Sequence, residues 1–360
     1  PQDVTASCDL RWATLQLTAK AELADSLRAD IHIACGDLNE LVPGLAGRFE
    51  IEAAAGGTPR APRLDVALRA DGIAQDAPQA AVGQMRARFG LVVAQTAADS
   101  ITVDDVAAEA EVRVLGATFD QVVLDSTTLR LEGTAAGHGL RLDVAGPQVR
   151  GLVVLAGQFD AGTAVWTGRL DSLLVVNELA GRWSLASPAA LAAGAGLARV
   201  DSLRLVRGDA EFRLGAALAD SQWTAAAEIV GLPLALANPA LPPDQRLEGG
   251  LAGTLAASGD LVGGYTAEAS VQLEQAKYHF LTEEVPDSLM LAPVRFLVHA
   301  GGDGVVGEFD AGVAGSRPGQ EANFHGRFAL PEYRSYRDSL ATQPLTGNLT
   351  GGIPDLGFAN

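Results

Sequence analysis

Lysine is almost missing from this chain: Lys20 and Lys277 are the only two. Basic residues number 26 against 44 acidic ones, a formal net charge of -18. Nucleic acid is held by clustered Lys and Arg that displace counterions from phosphates, so this balance argues against a nucleic-acid partner. It also disfavours docking on anionic lipid head groups. Cysteine is scarce too. Cys8 and Cys35 are too few for a disulfide scaffold and form no Cys-x-x-Cys site. Both fall at strand-like ends, where one disulfide in an oxidising compartment and two free buried thiols fit equally well. Long apolar runs are absent. The longest uncharged stretches, Trp183 to Ala198 and Ile229 to Pro243, carry proline and fall short of a membrane span. No basic-then-apolar leader follows Pro1, and only Met85 and Met290 supply methionine. With a start inside strand-like text, the chain reads as a piece of a longer protein.

What is abundant is glycine, at 41 residues, with 17 prolines, which makes long helices improbable and turns frequent. The organising stretch runs from Leu129 to Leu185. Leu129–Gly133, His138–Val144, Gly151–Leu155, Trp166–Leu170 and Gly181–Leu185 each alternate in side-chain character and are punctuated by Gly, Pro, Asn or Asp. A period of two belongs to the β-strand. The same alternation recurs from Thr14 to Ile33, over Arg48–Glu52 and Arg63–Arg69, and from Gln84 onward. Interruptions are short. Asp37 to Pro43 has an N-cap Asp and apolar residues three and four apart, so it predicts a helical turn, as does Ser187–Ala193. A Gly-Leu-Ala-Gly handover at Gly44 returns at Gly250, and a related segment begins at Pro344, an irregular repeat rather than a fixed period. No composition break marks a linker. The expectation is an all-β module, continuous over 1–360, elongated and curved, with few helical turns.

No cluster of reactive groups emerges. Gly302-Asp-Gly304-Val-Val-Gly307 matches the dinucleotide pattern, but the Gly-rich text after it cannot open the helix such a site needs, so a hairpin turn is the better reading. His32, His138, His279, His299 and His325 stand singly, without metal-ligand spacing. Asp104-Asp105 and Glu283-Glu284 are adjacent, which in a strand sends each pair to opposite faces and spoils it for acid–base work. No Gly-x-Ser-x-Gly elbow occurs. The reading is non-enzymatic, with no cofactor and no metal.

Several short motifs carry a resemblance. Leu131, Gly133 and His138 in a Leu-x-Gly…His arrangement, Trp166 to Leu170, Trp183 to Pro188, Leu232-Pro-Leu, and Leu241 to Gly249 resemble, in order, the middle of TamB-type proteins. These are translocation and assembly module inner-membrane subunits, related to AsmA-like envelope proteins. The resemblance implies a long, curved, groove-shaped β-sheet with an apolar concave face, in the periplasm of a Gram-negative bacterium and anchored in the inner membrane. It implies a partner, the BamA-like outer-membrane barrel TamA, met through regions outside this sequence. It also implies roles in moving phospholipid between membranes and in assembling outer-membrane proteins such as autotransporters. Family members often carry a Cys pair in the stretch matching Ala198 to Leu214; this sequence has none there.

Composition reaches a similar place independently. A sheet alternating Leu and Val with charge has one oily and one wet face, and this chain lacks the helices that would cover the oily one. Candidate acyl-chain contacts are Leu129, Leu131, Leu140, Leu142, Val144, Leu152, Val154, Trp166, Leu170, Trp183 and Leu185. Phospholipid transport along such a trough is the first expectation. A chaperone-like scaffold that takes outer-membrane clients by β-augmentation is the second. An adhesin or carbohydrate-active solenoid would need an aromatic strip or carboxylate cluster that the sequence does not offer.

Overall fold

A computed structural model describes residues 4–58, 60–75, 80–94, 102–120, 122–178, 180–242, 244–261, 264–282, 285–301, 304–314, 321–330 and 346–352. The chain divides into two compact units, Pro1–Trp183 and Ser184–Asn360.

The first unit holds β1 (Val4–Trp12), β2 (Leu15–Leu23), β3 (Leu27–Cys35), β4 (Leu45–Thr58), β5 (Ala61–Gln75), β6 (Ala80–Val93), β7 (Val106–Phe119), β8 (Val122–Thr134), β9 (Gly137–Ala145), β10 (Val149–Asp160) and β11 (Val165–Asn177). Each strand pairs antiparallel with the next, so the unit is an uninterrupted meander. Tight turns make this possible. Trp12 pairs with Leu15 and Thr134 with Gly137, leaving two-residue loops, and Ala13 in the first takes the left-handed φ of 52° that matches the strands' twist. Among the described residues, strand-to-strand contacts in this unit run chiefly between successive strands, so it is a single layer. Stacked at ~4.8 Å per strand, eleven strands extend about 50 Å across the sheet.

After β12 (Gly181–Leu185), at the division, the second unit holds β13 (Ala189–Gly194), β14 (Leu197–Arg207), β15 (Ala210–Ala219), β16 (Gln222–Pro233), β17 (Arg246–Asp260), β18 (Tyr265–Thr282), β19 (Val285–Gly301), β20 (Gly304–Ala314), β21 (Glu321–Leu330) and β22 (Thr346–Gly352). From β13 onward it is again a meander of antiparallel neighbours. Gly301 and Gly304 pair across β19 and β20, as the hairpin reading of that Gly-rich motif requires; Gly302 and Asp303 lie outside the described residues. The all-β expectation holds in both units.

Helical structure among the described residues is confined to three 3-10 turns, Leu38–Glu40, Val103–Asp105 and Leu234–Ala240. The first is the turn expected at Asp37, whose carboxylate accepts from the Asn39 amide at 2.9 Å. Two expectations are corrected. Ser187–Ala193 is not helical: Leu191 and Ala193 pair with Val200 and Ala198, and cross-strand pairing overrides the helix propensity of alanine. Asp104-Asp105 does not lie in a strand either. Asp105 caps its own turn by accepting from the Thr102 amide and hydroxyl, both at 2.8 Å, and these bonds hold its carboxyl below the usual range. Glu283-Glu284 lies outside the described residues.

Strict alternation is broken at register shifts. Between Ala46 and Arg48 the β4–β5 register shifts by one, with Gly47 at φ 117° and Gly72 at φ 62°. An extra residue on one strand kinks it and increases local twist. A Cβ on Gly47 would sit 2.8 Å from the Gly72 carbonyl oxygen and 2.8 Å from Ile73 Cδ1. Gly47→Val is therefore expected to lower unfolding free energy by more than about 2 kcal/mol. Gly44→Ala has left-handed φ but nothing within 4 Å, so its loss should stay near ~1 kcal/mol. Urea titration of both variants checks this.

Candidate functional site: an uncovered apolar face

Antiparallel partners share a face, so the register sorts every side chain. One row crosses the whole first unit as Leu10, Leu17, Ile33, Ile51, Leu68, Ala87, Val112, Leu129, Leu142, Val153 and Leu173. Beside it runs Cys8, Ala19, Ile31, Ala53, Val66, Phe89, Ala110, Leu131, Leu140, Leu155 and Leu170. Neither row contains a charge. The row on the opposite face reads Asp9, Thr18, His32, Glu52, Ala67, Arg88, Glu111, Arg130, Arg141, Val154 and Ser172.

The second unit is sorted in the same way. Leu185, Leu205, Phe212, Ile229, Gly253, Val271, Phe296, Phe309, Gly326 and Leu349 form an apolar row. Phe296 stacks on Phe309 at 6.2 Å and leans on Phe328 at 5.8 Å, a separation at which aromatic pairs attract.

Within each unit, no described element packs over these rows. Leu10 is 51% exposed and Phe89 37%. Among the described residues of the first unit, the buried apolar ones are Cys35, Leu38, Ala70 and Leu170, too few to make a two-layer core. Cys8 is exposed and Cys35 buried, and both are free thiols.

Leu129, Leu131, Leu140, Leu142, Val144, Trp166 and Leu170 are brought together on the apolar face. Leu152 and Val154 are not: their partners on β9 are Asp143 and Arg141, which puts both on the charged face. Gly151-Leu-Val-Val-Leu155 is apolar at almost every position, so alternation gives no phase there. Trp183, half-buried, donates from Nε1 to the Ala180 carbonyl at 3.0 Å. Leu185 pairs with Leu205 in the second unit. The contribution of β1 to β7 was missed in naming candidates, although the same alternation marks Leu10, Ile33, Leu68 and Val112.

Trp166 has a fixed seat. Its Nε1 donates to His138 Nε2 at 2.6 Å, while His138 Nδ1 meets the Thr134 carbonyl at 3.0 Å. A carbonyl only accepts, so Nδ1 carries a hydrogen toward Thr134 while Nε2 receives the indole N–H. The indole lies across two glycines: a Cβ on Gly157 or Gly168 would come within 2.5 or 2.4 Å of its ring. The bulk of this face is thus set by glycines beneath an aromatic.

The charged face is laced with ion pairs two residues apart on one strand: Arg63–Asp65 at 2.7 Å, Arg141–Asp143 at 2.7 Å and Arg199–Asp201 at 2.8 Å. A twisted sheet is a saddle, and this face also carries a hollow of about 680 Å³ above β2 to β7, where Lys20, Asp30, His32, Glu52, Asp65 and Arg88 meet. The most tightly held carboxylate is Glu211, between Arg204 at 2.6 Å and Arg213. Hydrogen bonds from these two guanidiniums pull it from 4.5 to about 2. A lowered folded-state value stabilises above the unfolded value, and that contribution is lost as pH falls through the folded one. The Glu211 carboxyl carbon should titrate in NMR with a midpoint near 2, and Arg204→Ala with Arg213→Ala should return it toward 4.5.

Among the described residues no helix is long and apolar enough to cross a membrane. No solved structure matches the chain. The family model described as TamB, N-terminal domain, matches residues 3–300. That span carries the first unit's sheet and most of the second's, so this chain belongs to the TamB family of envelope proteins, non-enzymatic scaffolds of transport and assembly.

Proposed function

We propose that the apolar face is a rail for phospholipid acyl chains, that the two units work as one continuous module in the periplasm, and that the module carries lipid between inner and outer membranes. In this reading the full-length protein is anchored in the inner membrane and meets the TamA barrel through regions outside this chain. The observation that carries the reading is the unbroken pair of charge-free rows from β1 to β11, left open on a protein whose opposite face is densely charged.

The energetics favour hydrocarbon as the occupant. An exposed apolar surface this extended marks an interaction site. Each methylene in water costs roughly 0.8 kcal/mol relative to an apolar surround, so a chain of about fifteen methylenes faces on the order of 12 kcal/mol if it crosses water bare. Gliding from bilayer to apolar rail removes most of that barrier without tight binding at any one point. Leu129, Leu131, Leu140, Leu142, Val144, Trp166 and Leu170 would touch the chain in the first unit, and Leu185 in the second.

A competing reading has outer-membrane protein strands adding to a sheet edge. β1 favours it, being exposed along its whole length. The two readings predict different captures. A photo-crosslinker at Leu142 or Leu131 should trap phospholipid in cells, whereas one at Val154, on the charged face, should not. Polypeptide trapped at Thr5 or Ser7 in β1, with no lipid at Leu142, would favour edge pairing instead. Leu131→Asp with Leu142→Asp should block lipid passage while leaving the β circular-dichroism signal intact, and Val154→Asp should be tolerated.

A further inference from the structure

We propose that His32, Glu50 and Glu52 form a divalent-cation site that braces β3 to β4 on the charged face, an inference independent of lipid carriage. His32 and Glu52 are direct cross-strand partners, and Glu50 lies two residues before Glu52, so all three project from the same face. His32 Nε2 stands 2.8 Å from Glu50 Oε1. One ligand atom from each residue falls within 4.8 Å of the other two.

The donor set fits a metal better than a lone ion pair. Imidazole nitrogen with two carboxylates suits Zn²⁺ and neighbouring first-row ions, and three protein ligands leave a position for water. Ligands about 2.0–2.2 Å from such an ion lie ~3.3 Å apart, a contraction that exposed Glu52 reaches by side-chain rotation. Binding requires the hydrogen that Nε2 shares with Glu50 to move to Nδ1, freeing the Nε2 lone pair. Further carboxylates border the site: the hollow above it holds Asp30 and Glu109, and Asp65 and Glu111, which pair with Arg63 at 2.7 Å and Arg130 at 3.5 Å, beside Lys20 and Arg88. Single-residue spacing could not reveal the site, because its ligands come from two strands joined by a segment that runs through the Leu38–Glu40 turn.

The test is calorimetric titration of Zn²⁺ into the folded protein, with Co²⁺ absorption as a second readout. One ion per chain is expected. His32→Gln should abolish uptake, and Glu50→Gln or Glu52→Gln should weaken it more than about tenfold. His325→Gln, which removes a similar 2.7 Å pair with Asp310, should leave it unchanged. Zn²⁺ should raise the melting temperature of the parent but not of His32→Gln. No saturable uptake, uptake that survives His32→Gln, or equal loss with His325→Gln would each overturn the proposal.

Discussion

Cross-strand register is the constraint on which everything else in this molecule depends. A slip of one residue anywhere between β1 and β11 would carry Asp, Glu and Arg into rows that are otherwise free of charge. The chain nevertheless contains breaks in alternation, and their placement protects the rows. In strict alternation Leu170-Asp-Ser-Leu173 would put Leu170 and Leu173 on opposite faces. The β10–β11 shift pairs Leu155 with Leu170 and Val153 with Leu173, so both leucines stay on the apolar face. Asp171 goes instead to Arg169, with which it forms an ion pair. Val200-Asp-Ser-Leu203 repeats the device: the β14–β15 shift pairs Val200 with Ala216 and Leu203 with Leu214, and Asp201 meets Arg199. An Arg-x-Asp-Ser-Leu stretch is therefore a bulge signature in this chain, at two positions far apart in sequence.

A sheet organised this way is stabilised differently from a packed domain. Its ladders satisfy backbone donors and acceptors within the plane, and its side chains gain mainly from cross-strand neighbours, about 0.2–1 kcal/mol per favourable pair. The exposed Arg–Asp pairs add little each. Their larger role is discrimination: a charged face cannot pack on the apolar face of another copy, and a net charge of -18 keeps copies apart.

Much of this was legible in the sequence because a period of two is a local signal. Alternation in Leu129-Arg-Leu-Glu and Leu140-Arg-Leu-Asp identified the strands and split apolar from charged positions within each, but a one-residue bulge can exchange the two sets, so the common face came only from the register. Leu152 and Val154 were opaque for a physical reason: an apolar run has no phase, and only the partners Arg141 and Asp143 supply one. Ser187–Ala193 failed differently, because alanine-rich text favours a helix until β14 offers a ladder. The juxtaposition of His32 with Glu50 and Glu52 was invisible, since it depends on where β4 returns beside β3.

The single layer also explains why a sheet, rather than a bundle, suits an open apolar path. Away from the bulges, the N–H and C=O groups of the described strands point along the sheet plane toward a neighbouring strand, so regular stretches satisfy their backbone groups within the layer. What a hydrocarbon laid on the apolar face would meet is then decided by side chains alone, and in the Leu10-to-Leu173 row these are Leu, Ile, Val and Ala at every step. Successive strands are ~4.8 Å apart, less than the length of four methylenes, so a chain lying across them always spans several side chains and never faces a polar gap. Continuity of contact, rather than depth of any pocket, is what such a surface offers, and it survives only while the bulges keep each leucine on the same side.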